Sequence, residues 1–378
     1  MLLVTLKPFA SAILLACLLA GLATGAEPDP RVRAQAAVEG GLRWLAAHQV
    51  SEGPDAGSWE TEEPRYRSAV ASFAGLAFLA NGHLPGEGEY GRVVERAMRH
   101  VQGSMAADGY LGQGQSAGMY IHAACTLFGL SYLGLSPDPA AERDLAAWCR
   151  RSLGVVAEAQ KVSRPDHARG GWRYTPASNE SDLSVTSWQL LVLHAARQCG
   201  FEVDEDSIEA ALRFMDGAYV AVTNGPAGPA GGYVYRPGVS REPEPGVTGA
   251  AVFIRSLFER RDDARREAAL AYLAAYPPSW GGAQYNGYFF FGVFYMTQGM
   301  FQVGDQAWDR YFTPLRALLL EHQAGDGSWP FAPDDAHQGR LAGPAYSTAM
   351  AILILSMEKQ YLPMYQRQKR LFGERSMQ

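Results

Sequence analysis

Asp182 stands where a polar loop meets a long apolar run, in Ser-Asp-Leu-Ser-Val-Thr-Ser-Trp-Gln. A carboxyl group surrounded by apolar neighbours holds its proton more tightly and can act as a general acid. The same position suits a helix N-cap, where an ionised carboxylate accepts hydrogen bonds from the first turn. His122 opens another apolar run and could pass a proton to or from a ligand; the competing reading is a hydrogen-bonded core histidine. Arg173 and Tyr174 complete the set that would serve cleavage of a sugar chain. Asp334-Asp335, with His337 close by, could hold a divalent cation, but their Pro- and Asp-rich surroundings read as a solvated turn. The sequence implies no metal site and no other cofactor. Candidate ligand contacts are Tyr120, Trp172, Arg173, Tyr174, Thr186, Trp188, Tyr233, Tyr288, Tyr295 and Tyr346. Their rings would stabilise a carbocation through the aromatic quadrupole or stack on sugars. For Trp59, Tyr110 and Trp329 the expected role is to wedge between helices.

Two alternating kinds of helix must position these residues. The first kind is amphipathic and charged: 31–48, 90–101, 140–156, 207–219, 263–275 and 308–321. The second is apolar on nearly every side: 68–79, 120–133, 182–196, 247–258, 288–302 and 345–357. Between them lie Gly-aromatic turns such as Gly57-Ser58-Trp59, Gly170-Gly171-Trp172 and Gly327-Ser328-Trp329, with a variant at Trp280-Gly281-Gly282. Amphipathic helices belong on a surface and wholly apolar ones in an inner layer. About six copies of one hairpin unit follow. The final repeat is as apolar as the middle ones, so a ring is expected rather than an open solenoid with polar ends. The fold class is all-α, an (α/α)6 toroid. Its inner helices would run parallel, bringing their N-termini and the long loops 163–181, 222–246 and 324–344 to one rim. Such a mouth is electropositive.

A hydrophobic fraction of 47% with 19% charged residues marks a globular chain, and a net charge of −6 excludes a nucleic-acid partner. Arg260-Arg261-Asp262-Asp263 reads as a solvated helix start. Residues 1–26 read as a secretory signal, with Lys7, an apolar core and Thr24-Gly25-Ala26 for cleavage. This predicts a secreted or periplasmic protein. A lipoprotein reading of Cys17 is disfavoured because the apolar run continues past it. Cys125, Cys149 and Cys199 are too few for a disulfide framework, although one bridge is possible. The expected layout is the signal at 1–26, one toroid at 27–360 and a tail at 361–378.

The Gly-aromatic turns followed by apolar helices resemble the repeats of squalene–hopene cyclases and protein prenyltransferase β-subunits. Leu45 to Gln49 with Gly57-Ser58-Trp59, and Leu318 to Gln323 with Asp326-Gly327-Ser328-Trp329, resemble the Gln-Trp motifs of those cyclases. More closely, the chain is similar to secreted planctomycete-type prenyltransferase/squalene-oxidase-repeat proteins. The matching stretches are Met119-Tyr120-Ile121-His122, 170–188, Phe294-Tyr295-Met296-Thr297-Gln298, Tyr346-Ser347-Thr348-Ala349 and Tyr361-Leu362-Pro363. The resemblance covers essentially the whole mature chain. It departs from the family at the chemistry. Setting Thr186 on the threonine of the cyclase Asp-X-Asp-Asp-Thr motif puts Asp182 on the first aspartate, but Ser184 and Val185 on the other two. The Asp-X-Cys and His zinc set of the prenyltransferases is missing, as is a Cys-Gly-Glu-Gln thioester.

The resemblance implies a terpene-cyclase-like protein taking an apolar, isoprenoid-like ligand or lipid into a central aromatic-lined cavity. It leaves catalysis open and peripheral membrane contact possible. Two alternatives stand beside it: a carbohydrate-active α/α-toroid lyase or hydrolase, and a non-catalytic scaffold that binds protein. A central pocket of several hundred cubic ångströms lined by aromatics would favour the first reading, a shallow polar groove at the rim the second, and a lumen filled by side chains the third.

Overall fold

A computed structural model describes residues 29–112, 114, 116–225, 228–259, 262–335, 338–359 and 362. The signal segment with Cys17, Arg260-Arg261, His337, and the tail apart from Leu362 lie outside the described residues. The expected helix pairs are present. The outer helices are α1 (Pro30–Ala47), α3 (Gly91–Gly103), α5 (Pro139–Gln160), α7 (Glu205–Asp216), α9 (Asp263–Leu273) and α11 (Asp305–Glu321). The inner helices are α2 (Arg67–Leu79), α4 (Gly118–Tyr132), α6 (Leu183–Gln198), α8 (Pro245–Leu257), α10 (Phe289–Val303) and α13 (Pro344–Leu355). A short α12 (Gln338–Ala342) precedes the last of them. Every residue of α6 from Leu183 to Ala196 is buried, whereas α1 buries only one stripe, Ala34, Ala37, Val38, Gly41, Leu42, Trp44 and Leu45. Each inner helix packs on the next, and α13 packs back on α2, so the inner layer is a closed ring.

The turns explain how the ring holds. In three repeats the tryptophan indole N–H reaches back to the outer helix it follows. Trp59 donates to Leu45 O at 2.8 Å, Trp172 to Val156 O at 2.8 Å and Trp329 to Leu319 O at 2.6 Å. The backbone N–H at the same place is fixed by the next inner helix: Trp172 by Thr186 Oγ1 (3.0 Å), Tyr233 by Thr248 Oγ1 (2.9 Å) and Trp329 by Thr348 Oγ1 (2.9 Å). A glutamine before each of three turns then joins neighbouring repeats. Its Nε2 donates both to its own turn and to the following outer helix, as in Gln49 to Val93 O (2.9 Å) and Gln160 to Ser207 O (2.9 Å). Gln323 donates to Ala37 O at 2.8 Å, clamping the last repeat onto the first. Gly327 seals the same seam: at φ +96° its Cα lies so close to α1 that a Cβ would sit 2.6 Å from Gly40 O. The Gln-Trp pattern is thus a closure device, one side chain for each direction of packing.

Two features differ from the sequence expectation. The fourth outer helix stops at Asp216, and Tyr219–Gly225 pairs antiparallel with Gly228–Tyr233 as a hairpin. The β-branched and aromatic alternation of Tyr-Val-Ala-Val-Thr overrides helix continuation there. Asp335, expected in a solvated turn, is buried in the 3₁₀ turn Pro333–Asp335. Cys125, Cys149 and Cys199 all carry free thiols. Among the described residues no helix is long and apolar enough to cross a membrane, and no three metal-ligating side chains cluster.

Candidate functional site

All six inner helices begin at one rim, as the repeat pattern predicts, and their first turns enclose a cleft of about 440 Å³. Ala69 and Val70 of α2, Tyr120 of α4, Ser184 of α6, Val247 of α8, Gly292 of α10 and Tyr346 of α13 all line it. The volume suits a small organic ligand. Seven tyrosines face it: Tyr66, Tyr120, Tyr174, Tyr235, Tyr285, Tyr288 and Tyr346. Arg65, Asn286 and Glu244 add charge and amide groups. Burial raises the hydroxyls of Tyr120, Tyr235, Tyr288 and Tyr346 above the ordinary tyrosine range. They therefore remain protonated at neutral pH.

Two carboxyl groups occupy the same structural position on successive inner helices. Asp182 is the N-cap residue of α6, and its Oδ1 accepts from Val185 N–H at 2.8 Å and from Ser184 Oγ–H at 2.7 Å. It is fully buried, and the loss of hydration pushes its carboxyl up to about 6 against those hydrogen bonds and the Arg173 charge. Arg173 approaches Oδ2 at 3.5 Å and Glu180 at 3.6 Å, and lies over the Tyr174 ring at 4.5 Å. Glu244 holds the N-cap position of α8 without a side-chain cap bond and is the one carboxyl residue among the described residues lining the cleft. Burial raises it above the usual glutamate range, opposed by a hydrogen bond from Asn286. Asn286 itself takes the left-handed conformation at φ +50°.

Of the sequence candidates, Tyr120, Tyr174, Trp188, Tyr288 and Tyr346 line the cleft. Asp182 and Arg173 lie behind its wall. Trp172, Thr186 and Tyr233 do not line it, because the turn-to-helix clamp described above consumes them. Tyr295 is packed between Trp188 and Phe291 in the aromatic core. His122 is also a clamp. Its Nδ1 accepts from Leu111 N–H at 3.2 Å, in the place threonine holds in other repeats, so Nε2 carries the proton and donates to Ser152 O at 3.0 Å. Burial lowers its pKa to about 4, so it stays neutral and is not available for proton transfer in the cleft.

That assignment carries a pH signature. A histidine whose folded pKa is depressed contributes stability above its unfolded pKa and loses it as pH falls. Between about pH 6.5 and pH 4, His122 alone should remove about 3 kcal/mol of stability. Urea unfolding at both pH values will show a steeper fall for the wild type than for His122→Gln, which retains one donor and one acceptor. Parallel curves would refute the neutral clamp.

Sequence reasoning passed over Glu244, Asn286 and Arg65. The available signal was position: Glu244 immediately precedes an apolar run, as Asp182 does.

No family model and no curated protein matches this chain. Several solved structures share its fold, including the following two. One is an inactive variant, with two adjacent aspartates changed to asparagine, of an alpha-1,6-mannanase from Salegentibacter sp. HEL1_6 in complex with alpha-1,6-mannotriose. Its TM-score is 0.56 at 10% identity, covering 85% of this chain and 97% of that chain. The other is a family 76 glycoside hydrolase from a bovine Bacteroides thetaiotaomicron strain, with TM-score 0.56 and 10% identity over 85% of this chain and 77% of that chain. At that identity the likeness establishes the all-α toroid and leaves the chemistry to the site. These neighbours correct the squalene-cyclase and prenyltransferase-repeat reading, and the terpene-cyclase activity and apolar or lipid partner that came with it. The physical reason lies in the turns: the Gln-Trp elements close a ring, and a ring can serve any chemistry.

Proposed function

We propose that this chain is a carbohydrate-active toroid that binds an oligosaccharide in the rim cleft and cleaves a glycosidic bond there, with Glu244 as the proton donor. The observation that carries the reading is the ring of seven tyrosines around a carboxyl group whose burial favours its protonated form. Phenol rings offer flat apolar faces to the C–H faces of a pyranose, while their hydroxyls pair with sugar hydroxyls. Tyr120, Tyr174 and Tyr235 already bond to protein groups, but an isoprenoid would offer the hydroxyls of Tyr66, Tyr288 and Tyr346 nothing to pair with, at a cost of about 1–3 kcal/mol for each one buried. The fold likeness to family 76 glycoside hydrolases, one of them holding alpha-1,6-mannotriose, supports this assignment. Glu244 meets the requirements for a general acid: it faces the cleft, and desolvation favours its protonated form. Tyr288, 41% exposed, provides a stacking surface on the open side. The signal segment read at 1–26 would deliver the protein to a compartment where polysaccharides are met.

The test is an assay of released reducing ends on a panel headed by α-1,6-manno-oligosaccharides, with gluco-, xylo-, chito- and uronate-containing oligomers alongside. Turnover of at least one class is expected. Absence of both cleavage and calorimetric binding across the panel would defeat the assignment.

A further inference from the structure

Hydrolysis needs a second group, one that takes a proton from the attacking water, and the cleft wall presents no second ionised carboxylate among its described lining residues. Asp182 is nearby but fully buried. Two chains of hydroxyls connect it to the cleft. In the first, Ser184 Oγ donates to Asp182 Oδ1 at 2.7 Å, and Tyr120 Oη is in hydrogen-bond contact with Ser184 Oγ. In the second, Tyr235 hydrogen-bonds Asp182, and Tyr174 Oη meets Tyr235 Oη at 2.5 Å. Tyr120, Ser184, Tyr174 and Tyr235 all line the cleft.

The polarity of the first chain is determined. An ionised carboxylate only accepts. Ser184 therefore spends its single proton on Asp182, and its oxygen must accept from Tyr120. Tyr120 thereby spends its own proton, and what it turns toward the cleft is a lone pair. A group that can only accept, at the end of a wire leading to a carboxylate, is a base whose charge is stored elsewhere.

We propose that Asp182 is the remote base of this site, reached from the cleft through Ser184 and Tyr120. The inference rests on the glycoside-cleaving reading above. In the step, the oxygen of a cleft water bonds to the anomeric carbon as the bond from that carbon to the leaving oxygen breaks. The leaving oxygen takes the proton of Glu244. The water proton passes to Tyr120 Oη, the Tyr120 proton to Ser184 Oγ, and the Ser184 proton to Asp182. The glycoside and one water become two hydroxyl-bearing products. Glu244 ends ionised and Asp182 protonated, and exchange with solvent restores both. One displacement by water inverts the anomeric configuration. Tyr120 touches the reacting water; Ser184 and Asp182 act through it and are positioning residues.

The charged and titratable groups around Asp182 are Arg173 at 3.5 Å, Glu180 across that guanidinium, and Tyr120, Tyr174 and Tyr235. In the wild type, activity should fall as pH drops below about 6, where Asp182 takes up a proton.

The experiment compares full-length wild type, Ser184→Ala and Tyr120→Phe on whichever panel oligosaccharide the wild type cleaves. Ser184→Ala cuts the wire but leaves the Val185 cap bond in place, and Tyr120→Phe removes a single oxygen from the cleft wall. Each should lower kcat by about 10² to 10³, the scale of general-base catalysis, with KM changed by no more than a few fold. The acid limb of the pH profile should vanish, and azide, which needs no deprotonation, should restore turnover as a glycosyl azide. The wild-type product should first appear with inverted configuration. Full kcat with an unchanged acid limb in both variants, or a retained anomer, overturns the wire and leaves the sugar reading standing. A wild type that cleaves no glycoside overturns both.

Discussion

Glu244→Gln should reduce turnover of the cleaved oligosaccharide by about 10² to 10⁴, the scale expected for loss of a general acid. The side-chain amide has nearly the same shape, and Glu244 makes no cap bond that its replacement would break. The melting temperature and the KM should therefore stay close to those of the wild type. The alkaline limb of the pH profile provides a second readout. A general acid is active below its pKa, so wild-type activity declines as pH rises through the raised Glu244 value; the variant should lose that decline. An aryl glycoside with a very good leaving group needs no acid and should suffer much less. A variant retaining more than about a tenth of kcat on the natural linkage would remove Glu244 from the mechanism.

The second large effect concerns the seam of the ring. Gly327 sits at φ +96°, and an added Cβ would lie 2.6 Å from Gly40 O, a backbone atom that cannot swing aside. Gly327→Ala should cost about 3 to 5 kcal/mol, from left-handed strain together with overpacking. Gly134→Ala isolates the two contributions: Gly134 has φ +84° and nothing within 4 Å of a Cβ. It should lose only the strain, about 1 to 2 kcal/mol. Denaturant unfolding of both variants measures the difference. Equal losses would mean that the last repeat is not locked onto the first as described.

Much of this architecture can be read from the chain because the signal is repeated. Leu183 to Ala196 contains no charged side chain except a single histidine if protonated, and such a run can only be interior. The capping role of Asp182 was legible for the same reason, since a polar residue before an apolar run satisfies free N–H groups. Glu244 was harder to see. It sits in Arg-Glu-Pro-Glu-Pro, which reads as an irregular loop, and only the helix that follows reveals that it is the counterpart of Asp182. The residue types at the turns misled in the other direction. Trp172, Tyr233 and Thr186, which clamps Trp172, have the composition of a binding pocket, yet their hydrogen bonds are spent on closure. The resemblance to cyclases rested on those same turns, so it carried the fold and not the ligand. The hairpin at 219–233 escaped because its alternation is short and its partner strand is mostly glycine, proline and alanine.

The central claim is that the tyrosine-lined rim cleft is a saccharide site. The measurement that tests it most directly is a crystal structure of the Glu244→Gln variant soaked with the oligosaccharide that the wild type cleaves, or with α-1,6-mannotriose. Sugar rings should lie among Tyr120, Tyr174, Tyr288 and Tyr346, with a glycosidic oxygen within hydrogen-bond distance of residue 244. A cleft that stays empty of sugar, or that is filled by a co-purified hydrocarbon chain, would contradict the account.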